Sequence, residues 1–355
     1  MVYLDYAATC PVVKYPQRLY RDVLGEGYFL NPNANYAYKE KRLLAEAENR
    51  VKKTIGAKSG RVVFGGTSSQ LIENLMNRAK RNTVICSKYE HNSFYRYAYD
   101  LVKNINELSE NIANMPESYG KMIVMWQGVN NLTGEIFPIT EIGNVCHEYN
   151  AFYICDITAM IGKVPIPANI DQWCDCAVWS GHKLGTELGI GAMWISDRLD
   201  KWLNGFKLHG TPNLAGALAL TQAVEDACDS KTIERNNSHW VKLANKFGGL
   251  LNKNNIQHTF VPFVLDDYTS AINAIRLPGF NADALQQYLA SKQIYISIGG
   301  SACAEKHDYR VLNAYGLSND EASEVIRVSF GEDSSVEDVE ALVEGIKNFK
   351  ELYVK

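Results

Sequence analysis

Between residues 61 and 195 the chain alternates short apolar runs with longer stretches of helical period. The runs at 61–64, 83–87, 121–126, 152–156 and 175–180 are close to continuously apolar, as strands buried on both faces require. The turn Gly65-Gly66-Thr67-Ser68-Ser69 opens a helix expected to continue to Arg81, and further helices are expected at 92–104 and 139–149. This order predicts an α/β fold on a mostly parallel, doubly wound sheet with helices over both faces. A last apolar strand, 190–195, follows a loop punctuated by glycine.

Towards the start, residues 1–9 read as a short strand and turn and Asn31-Pro32-Asn33 as a loop. Residues 36–55 read as a charged helix stopped at Gly56, where a left-handed residue ends it at little cost. Beyond about residue 266 the pattern changes. Strands are expected at 271–276, 294–298 and 326–330, with helices at 281–291, 319–325 and 336–353, which describes a separate α+β layer. No repeat, low-complexity tract or long Pro/Gly/Ser linker interrupts the chain.

The expected strand ends carry the candidate chemistry. In open α/β sheets, ligands bind beyond the carboxyl ends of the strands. Ser68, Ser69, His91, Asn131, Asp156 and 180–183 all lie at or just after such ends, so the pattern draws them toward one cleft. Lys183, in Ser180-Gly181-His182-Lys183, follows a buried strand end directly, an unusual place for an ammonium that is costly to desolvate. Its surroundings point to a purpose. A lysine for covalent attachment, an aspartate (Asp156) for a pyridinium nitrogen and Ser180 with His182 for a phosphate are the groups pyridoxal 5'-phosphate needs. Gly65–Ser69 adds backbone N–H groups at a helix start, where the same phosphate is a reasonable occupant.

Composition narrows the classes of function. The 355 residues are enough for two or so domains, and 46% hydrophobic with 21% charged residues is ordinary for a water-soluble enzyme. A net charge of −4 argues against nucleic-acid binding through a basic surface. No apolar run approaches the ~20 residues of a membrane span. No signal peptide is expected, because no basic region followed by an apolar one opens the chain. The eight cysteines are scattered rather than framed, and Cys174 and Cys176 have no second pair, so neither a zinc site nor a disulfide framework is expected. Reduced thiols in a cytoplasmic protein fit this usage. Cys303 differs from the strand cysteines: it sits in the glycine-rich Ile298-Gly299-Gly300-Ser301-Ala302-Cys303, where a thiol would be exposed and reactive as thiolate.

Motifs spread over nearly the whole chain complete the picture: Leu4-Asp5-Tyr6-Ala7-Ala8-Thr9, Tyr89-Glu90-His91, Val129-Asn130-Asn131, Asp156, Ser180-Gly181-His182-Lys183, Gly300-Ser301-Ala302-Cys303 and Ile326-Arg327-Val328-Ser329-Phe330-Gly331. In this order they resemble the cysteine desulfurase branch of the class V, fold-type-I pyridoxal-phosphate enzymes. The resemblance implies a large cofactor-binding domain over 16–260 and a small domain of 1–15 with 261–355. It implies that His91 stacks on the cofactor ring and relays protons, that Asn131 and Arg327 hold the substrate carboxylate, and that Ser69 fills the place of a phosphate-binding threonine. Thr211 resembles a threonine that reaches the phosphate of the neighbouring subunit, which implies a homodimer. Cys303 would take sulfur from L-cysteine, leaving alanine and a persulfide for a sulfur-acceptor protein. Three positions depart from the family pattern. Ala159 replaces a glutamine that contacts the cofactor, Leu208 replaces an arginine near the phosphate threonine, and the Cys303 loop looks shorter than the branch's longer mobile form. A class V aminotransferase, another lyase using this cofactor, and a degenerate member serving as a scaffold remain alternatives.

Overall fold

The computed structural model describes residues 1–11, 13–25, 31, 33–79, 82–116, 120–262, 267–300 and 308–354. The chain divides into two compact units, one of 11–129 with 137–233, the other of 1–10 with 130–136 and 234–355. The division falls inside the long helix Ser230–Lys253, not near residue 260, and sends the short stretch 130–136 to the second unit.

The first unit is built on a seven-stranded sheet. Its strands lie in the order Arg61–Gly65, Gly191–Ile195, Cys176–Ser180, Phe152–Asp156, Lys121–Met125, Asn82–Ser87 and Asp100–Val102. Only Gly191–Ile195 runs against the rest, so the sheet is mostly parallel, as the alternating pattern requires. Both faces are covered: every residue of Cys176–Ser180 and of Gly191–Ile195 is buried. A core of Leu71, Ile72, Leu75, Phe94, Ile154, Val178 and Met193, among others, packs helix Ser68–Arg78 onto the sheet.

Two expectations for this unit are corrected. Residues 92–104 do not form a helix. One helical turn, Asn92–Tyr95, is followed by the edge strand Asp100–Val102, whose Leu101 and Val102 pair with Cys86 and Ser87. The aromatic and β-branched content of this stretch suits a half-covered sheet edge better than a helix. Asn104, read as a helix end, is the start of the next one: its side chain accepts from Glu107 N–H and caps helix Ile105–Ala113. Helices Lys14–Gly25, Leu214–Cys228 and Ser230–Lys253 were not marked by the pattern. Leu214–Cys228 has little one-sided periodicity because most of its length is buried, and a helix that is apolar all round gives no stripe to read. Helix Tyr38–Thr54 does end where expected, with Gly56 at φ +77°.

The second unit carries a four-stranded antiparallel sheet in the order Ser297–Ile298, Val325–Ser329, Ile272–Arg276, Thr259–Val261. Helices Ala282–Ser291 and Val336–Tyr353 accompany it, capped by Asn281 and Ser335. The expected strand 294–298 is two pieces: Ile294–Tyr295 pairs in parallel with Val2–Tyr3, and Ser297–Ile298 joins the larger sheet. That pairing brings the amino-terminal Leu4–Thr9 motif into this unit, where Asp5 bridges Ser329.

Candidate active site

In the first unit, four strand ends supply the site. Strand Phe152–Asp156 ends at Asp156, whose Oδ1 accepts from the Thr158 backbone N–H at 2.8 Å. Burial pushes this carboxyl above its ordinary pKa, while the Thr158 donors and the positive charge of Lys183 pull it back. Strand Cys176–Ser180 runs into a 3₁₀ turn, Gly181–Leu184, which carries His182 and Lys183 and stops at Gly185 with φ +75°. Val13 N–H donates to Gly185 O at 2.9 Å and fixes the far side of the turn. The His182 imidazole is brought down to about 4 by burial, with the Lys183 charge adding to it. Lys183 therefore acts electrostatically on both Asp156 and His182, which places the three together. At neutral pH His182 is an uncharged donor or acceptor.

The helix that begins at Ser68 completes this half. Thr67 caps it in a reciprocal box with Gln70, which satisfies two end groups without a ligand. Ser68 N–H donates to Ser180 Oγ at 3.1 Å, and the two hydroxyls lie 2.7 Å apart. The contact exists because Gly191, on the neighbouring strand, has no side chain: a Cβ there would sit 3.2 Å from Ser68 N and 2.9 Å from Trp179 O. Ser69, one position further, is exposed at the helix start. The turn thus joins Ser68 to Ser180 and leaves Ser69 facing outward.

His91 caps the helical turn Asn92–Tyr95. Its Nδ1 accepts from Ser93 N–H at 3.2 Å and lies 2.9 Å from Ser93 Oγ, so the neutral ring carries its proton on Nε2. The turn before it is held by the buried Glu90, whose Oε1 accepts from the Ser87 hydroxyl at 2.6 Å and from Gln127 N–H at 2.9 Å. Gln127 returns a bond to Tyr89 O at 2.6 Å. Strand ends Asn82–Ser87 and Lys121–Met125 are thereby tied through one carboxylate, and His91 is held beside it.

Asn131 and Arg327 belong to the second unit, not with Asp156 and Lys183. There they meet: Arg327, 3% exposed, donates from Nη1 to Asn131 O at 3.0 Å, through the main chain and not the amide. Its Nη2 donates to Asp5 Oδ1 at 2.8 Å and to Ser297 Oγ at 2.9 Å, and Ser297 Oγ donates to Asp5 Oδ2 at 3.0 Å. Asp5 and Ser297 carry no role in the sequence reading. The signal was available, because a buried guanidinium needs an acid partner and Asp5 stands in the first motif. Neighbouring Asn130 folds the loop, its Oδ1 accepting from Leu132 and Thr133 N–H at 2.8 and 3.0 Å.

Cys303 lies outside the described residues, as do Ser301, Ala302 and Pro32. Of the cysteines that are described, five (Cys86, Cys146, Cys155, Cys174, Cys176) are buried. Burial pushes the Cys146, Cys155, Cys174 and Cys176 thiols far up, which makes them poor nucleophiles. Among the described residues no three His, Cys, Asp or Glu side chains gather as metal ligands would, and no helix is long and apolar enough to cross a membrane. Thr211 is exposed, next to Gly210, whose carbonyl accepts from Asn33 Nδ2 at 3.3 Å.

The donor set fits pyridoxal phosphate. A partly buried carboxylate and a lysine stand in one electrostatic group, and a serine-rich helix start with a neutral histidine is available to an oxyanion. The buried Thr158 hydroxyl lies beside Asp156 and acts on its carboxyl, and among the described residues it has no partner of good hydrogen-bond geometry. The departures also find places. Ala159 is buried. Leu208 packs into the apolar core, and a Cβ on Gly65 would meet its Cδ1 at 2.9 Å, so this position serves packing and not charge.

Comparison with known proteins agrees. The cysteine desulfurase IscS of Buchnera aphidicola is 27% identical over 379 residues, covering 97% of this chain and 91% of that protein. IscS of Dictyoglomus turgidum is 29% identical over 264 residues, 66% of each chain. Among solved structures, a NifS-like protein from Rickettsia africae superposes with a TM-score of 0.83 at 22% identity, over 99% of both chains. The apo cysteine desulfurase of Thermococcus onnurineus superposes at 0.76 with 21% identity, over 98% of this chain and 94% of that one. These likenesses make the fold that of the fold-type-I pyridoxal-phosphate enzymes. A family model described as aminotransferase class-V matches residues 2–342, nearly the whole of the sequence, and the chain belongs to that family.

Proposed function

We propose that the chain is a pyridoxal-phosphate-dependent cysteine desulfurase acting on L-cysteine. The observation that carries this is the coupled group of Asp156, His182 and Lys183 at adjoining strand ends, in a family whose similar members include IscS desulfurases. Bound pyridoxal phosphate supplies an electron sink for charge developed at the substrate Cα. Lys183 would hold the cofactor and would serve as a base at that carbon. Asp156 pairs with the ring nitrogen, and a cation there lowers the carboxyl that burial has raised. Ser68, Ser69, Ser180 and His182 hold the phosphate, with Thr211 contributed across a homodimer. His91, its Nδ1 committed to Ser93, would help hold the cofactor ring and would move a proton at Nε2.

Asn131 and Arg327 bind the substrate carboxylate. The Cys303 thiol then takes the sulfur: the substrate Cβ–S bond breaks, a Cys303 S–S bond forms, and the carbon skeleton leaves as alanine. The balance is closed, with cysteine and a thiol giving alanine and a persulfide. The persulfide passes to a sulfur-acceptor protein in the cytoplasm. One solved relative, a SspA structure with a TM-score of 0.72 and 22% identity over 93% of this chain, is described in complex with cysteine, in keeping with this substrate.

The family's aminotransferase members supply the second reading, in which Cys303 is incidental; a scaffold without activity is the third. Incubation with L-cysteine separates them. The desulfurase reading expects alanine and sulfide in equal amounts when a dithiol reductant is supplied, a mass increase of one sulfur at Cys303 when it is not, and loss of alanine production in Cys303→Ala with cofactor retained. Robust transamination by Cys303→Ala, with no sulfur on the wild-type cysteine, favours the aminotransferase. Retention of cofactor without any turnover favours the scaffold.

A further inference from the structure

Arg327 is already occupied. A guanidinium has five N–H groups and grips a carboxylate with two parallel bonds, either from Nε with Nη2 or from Nη1 with Nη2. Both forks use Nη2. In this protein both Nη2 hydrogens are spent, on Asp5 Oδ1 and on Ser297 Oγ. The donors left over among the described residues are Nε, which has no partner there, and one hydrogen of Nη1, whose other goes to Asn131 O. These two do not form a fork. A substrate carboxylate can take the bidentate grip only when Asp5 or Ser297 gives way.

Asp5 is the member able to move. Its side chain is 19% exposed against 4% for Arg327, and Ser297 is likewise buried at 4%. The Asp5 main chain is pinned, with its carbonyl accepting from Ala8 and Thr9 N–H at 3.0 and 3.3 Å, so displacement needs only rotation of the carboxylate. Asp5 is also the only charged partner among the three groups bound to the guanidinium, and an incoming carboxylate exchanges for it like for like.

We propose that Asp5 is a built-in occupant of the Arg327 fork, a carboxylate that holds the guanidinium in place and competes with the carboxylate of the amino-acid substrate. Asp5 is then a positioning residue that sets substrate affinity. This rests on the assignment of the substrate carboxylate to Arg327.

Asp5→Asn tests it, because the amide oxygen in the place of Oδ1 still accepts from Nη2, and the amide NH2 in the place of Oδ2 donates to Ser297 Oγ, while the competing charge is gone. The measurements are calorimetric binding of propionate to the cofactor-loaded protein and the KM and kcat for L-cysteine, with melting to confirm folding. Expected are a propionate Kd and a cysteine KM each lowered roughly three- to tenfold, with kcat changed less than about twofold. A merely structural Asp5 gives the opposite sign, with both constants unchanged or raised. Ser297→Ala, which frees one Nη2 hydrogen and loosens Asp5, is the second variant should Asp5→Asn not fold, and is expected to move both constants in the same direction. Arg327→Ala separates the two layers. If it leaves propionate binding and KM unchanged, the carboxylate assignment fails and the proposal with it. If it raises both while Asp5→Asn and Ser297→Ala lower neither, the assignment stands and Asp5 is no competitor.

Discussion

Lys183 imposes its charge on both ionisable neighbours, and removing it should show in more than colour. Lys183→Ala is expected to lack the visible absorption of covalently held cofactor, checked by spectrum after reconstitution with pyridoxal phosphate. His182 gives a prediction for the cofactor-free protein. Its pKa is brought from 6.5 to about 4, so between these values the unfolded chain binds a proton that the folded chain refuses. Stability is therefore retained above pH 6.5 and lost progressively as the pH falls toward 4. The ring is partly exposed, and solvent screening reduces the loss to on the order of 1 kcal/mol. Calorimetric melting across this range should show the decline in wild type and a shallower one in His182→Gln; equal slopes would remove His182 as the cause.

At the scale of elements, the junction between helix Ser68–Arg78 and strands Cys176–Ser180 and Gly191–Ile195 is where the phosphate half of the site is proposed. Gly191→Ala places a methyl against main-chain atoms of Trp179 and Ser68, which cannot swing aside as a flexible side chain would. Such crowding costs about 1–3 kcal/mol. The expected result is a lower melting temperature together with weaker cofactor retention, because the same shift parts Ser68 from Ser180. Unchanged melting and retention would show that the helix start adapts freely. The elements were unevenly legible. The strand run 152–156 and the stop at Gly56 stand as the pattern placed them, since continuous apolarity and a left-handed glycine are local signals. The stretch 92–104 went wrong because Leu101 and Val102 form an edge strand only in the presence of Cys86 and Ser87, a contact with no local trace.

For the whole molecule, a homodimer is proposed in which Thr211 serves the neighbouring subunit. Sedimentation at assay concentration should find a species of about twice 39.8 kDa. Thr211→Ala should leave that mass unchanged while weakening retention of the cofactor. An active monomer contradicts the shared site.

Sequence alone determined the parallel α/β sheet, the candidate residues at the strand ends and the cofactor class they suit, because each is written in local periodicity, turn chemistry or a short motif. Tertiary structure decided the partnerships. That Ser68 meets Ser180, that Lys183 works on both Asp156 and His182, and that Arg327 is held by Asp5 and Ser297 depend on segments brought together by strand order and by a glycine without a side chain. Asp5 and Arg327 stand 322 residues apart in the chain. A guanidinium's need for a carboxylate can be read from sequence; which carboxylate meets it is settled only when the pairing of Val2–Tyr3 with Ile294–Tyr295 closes that distance.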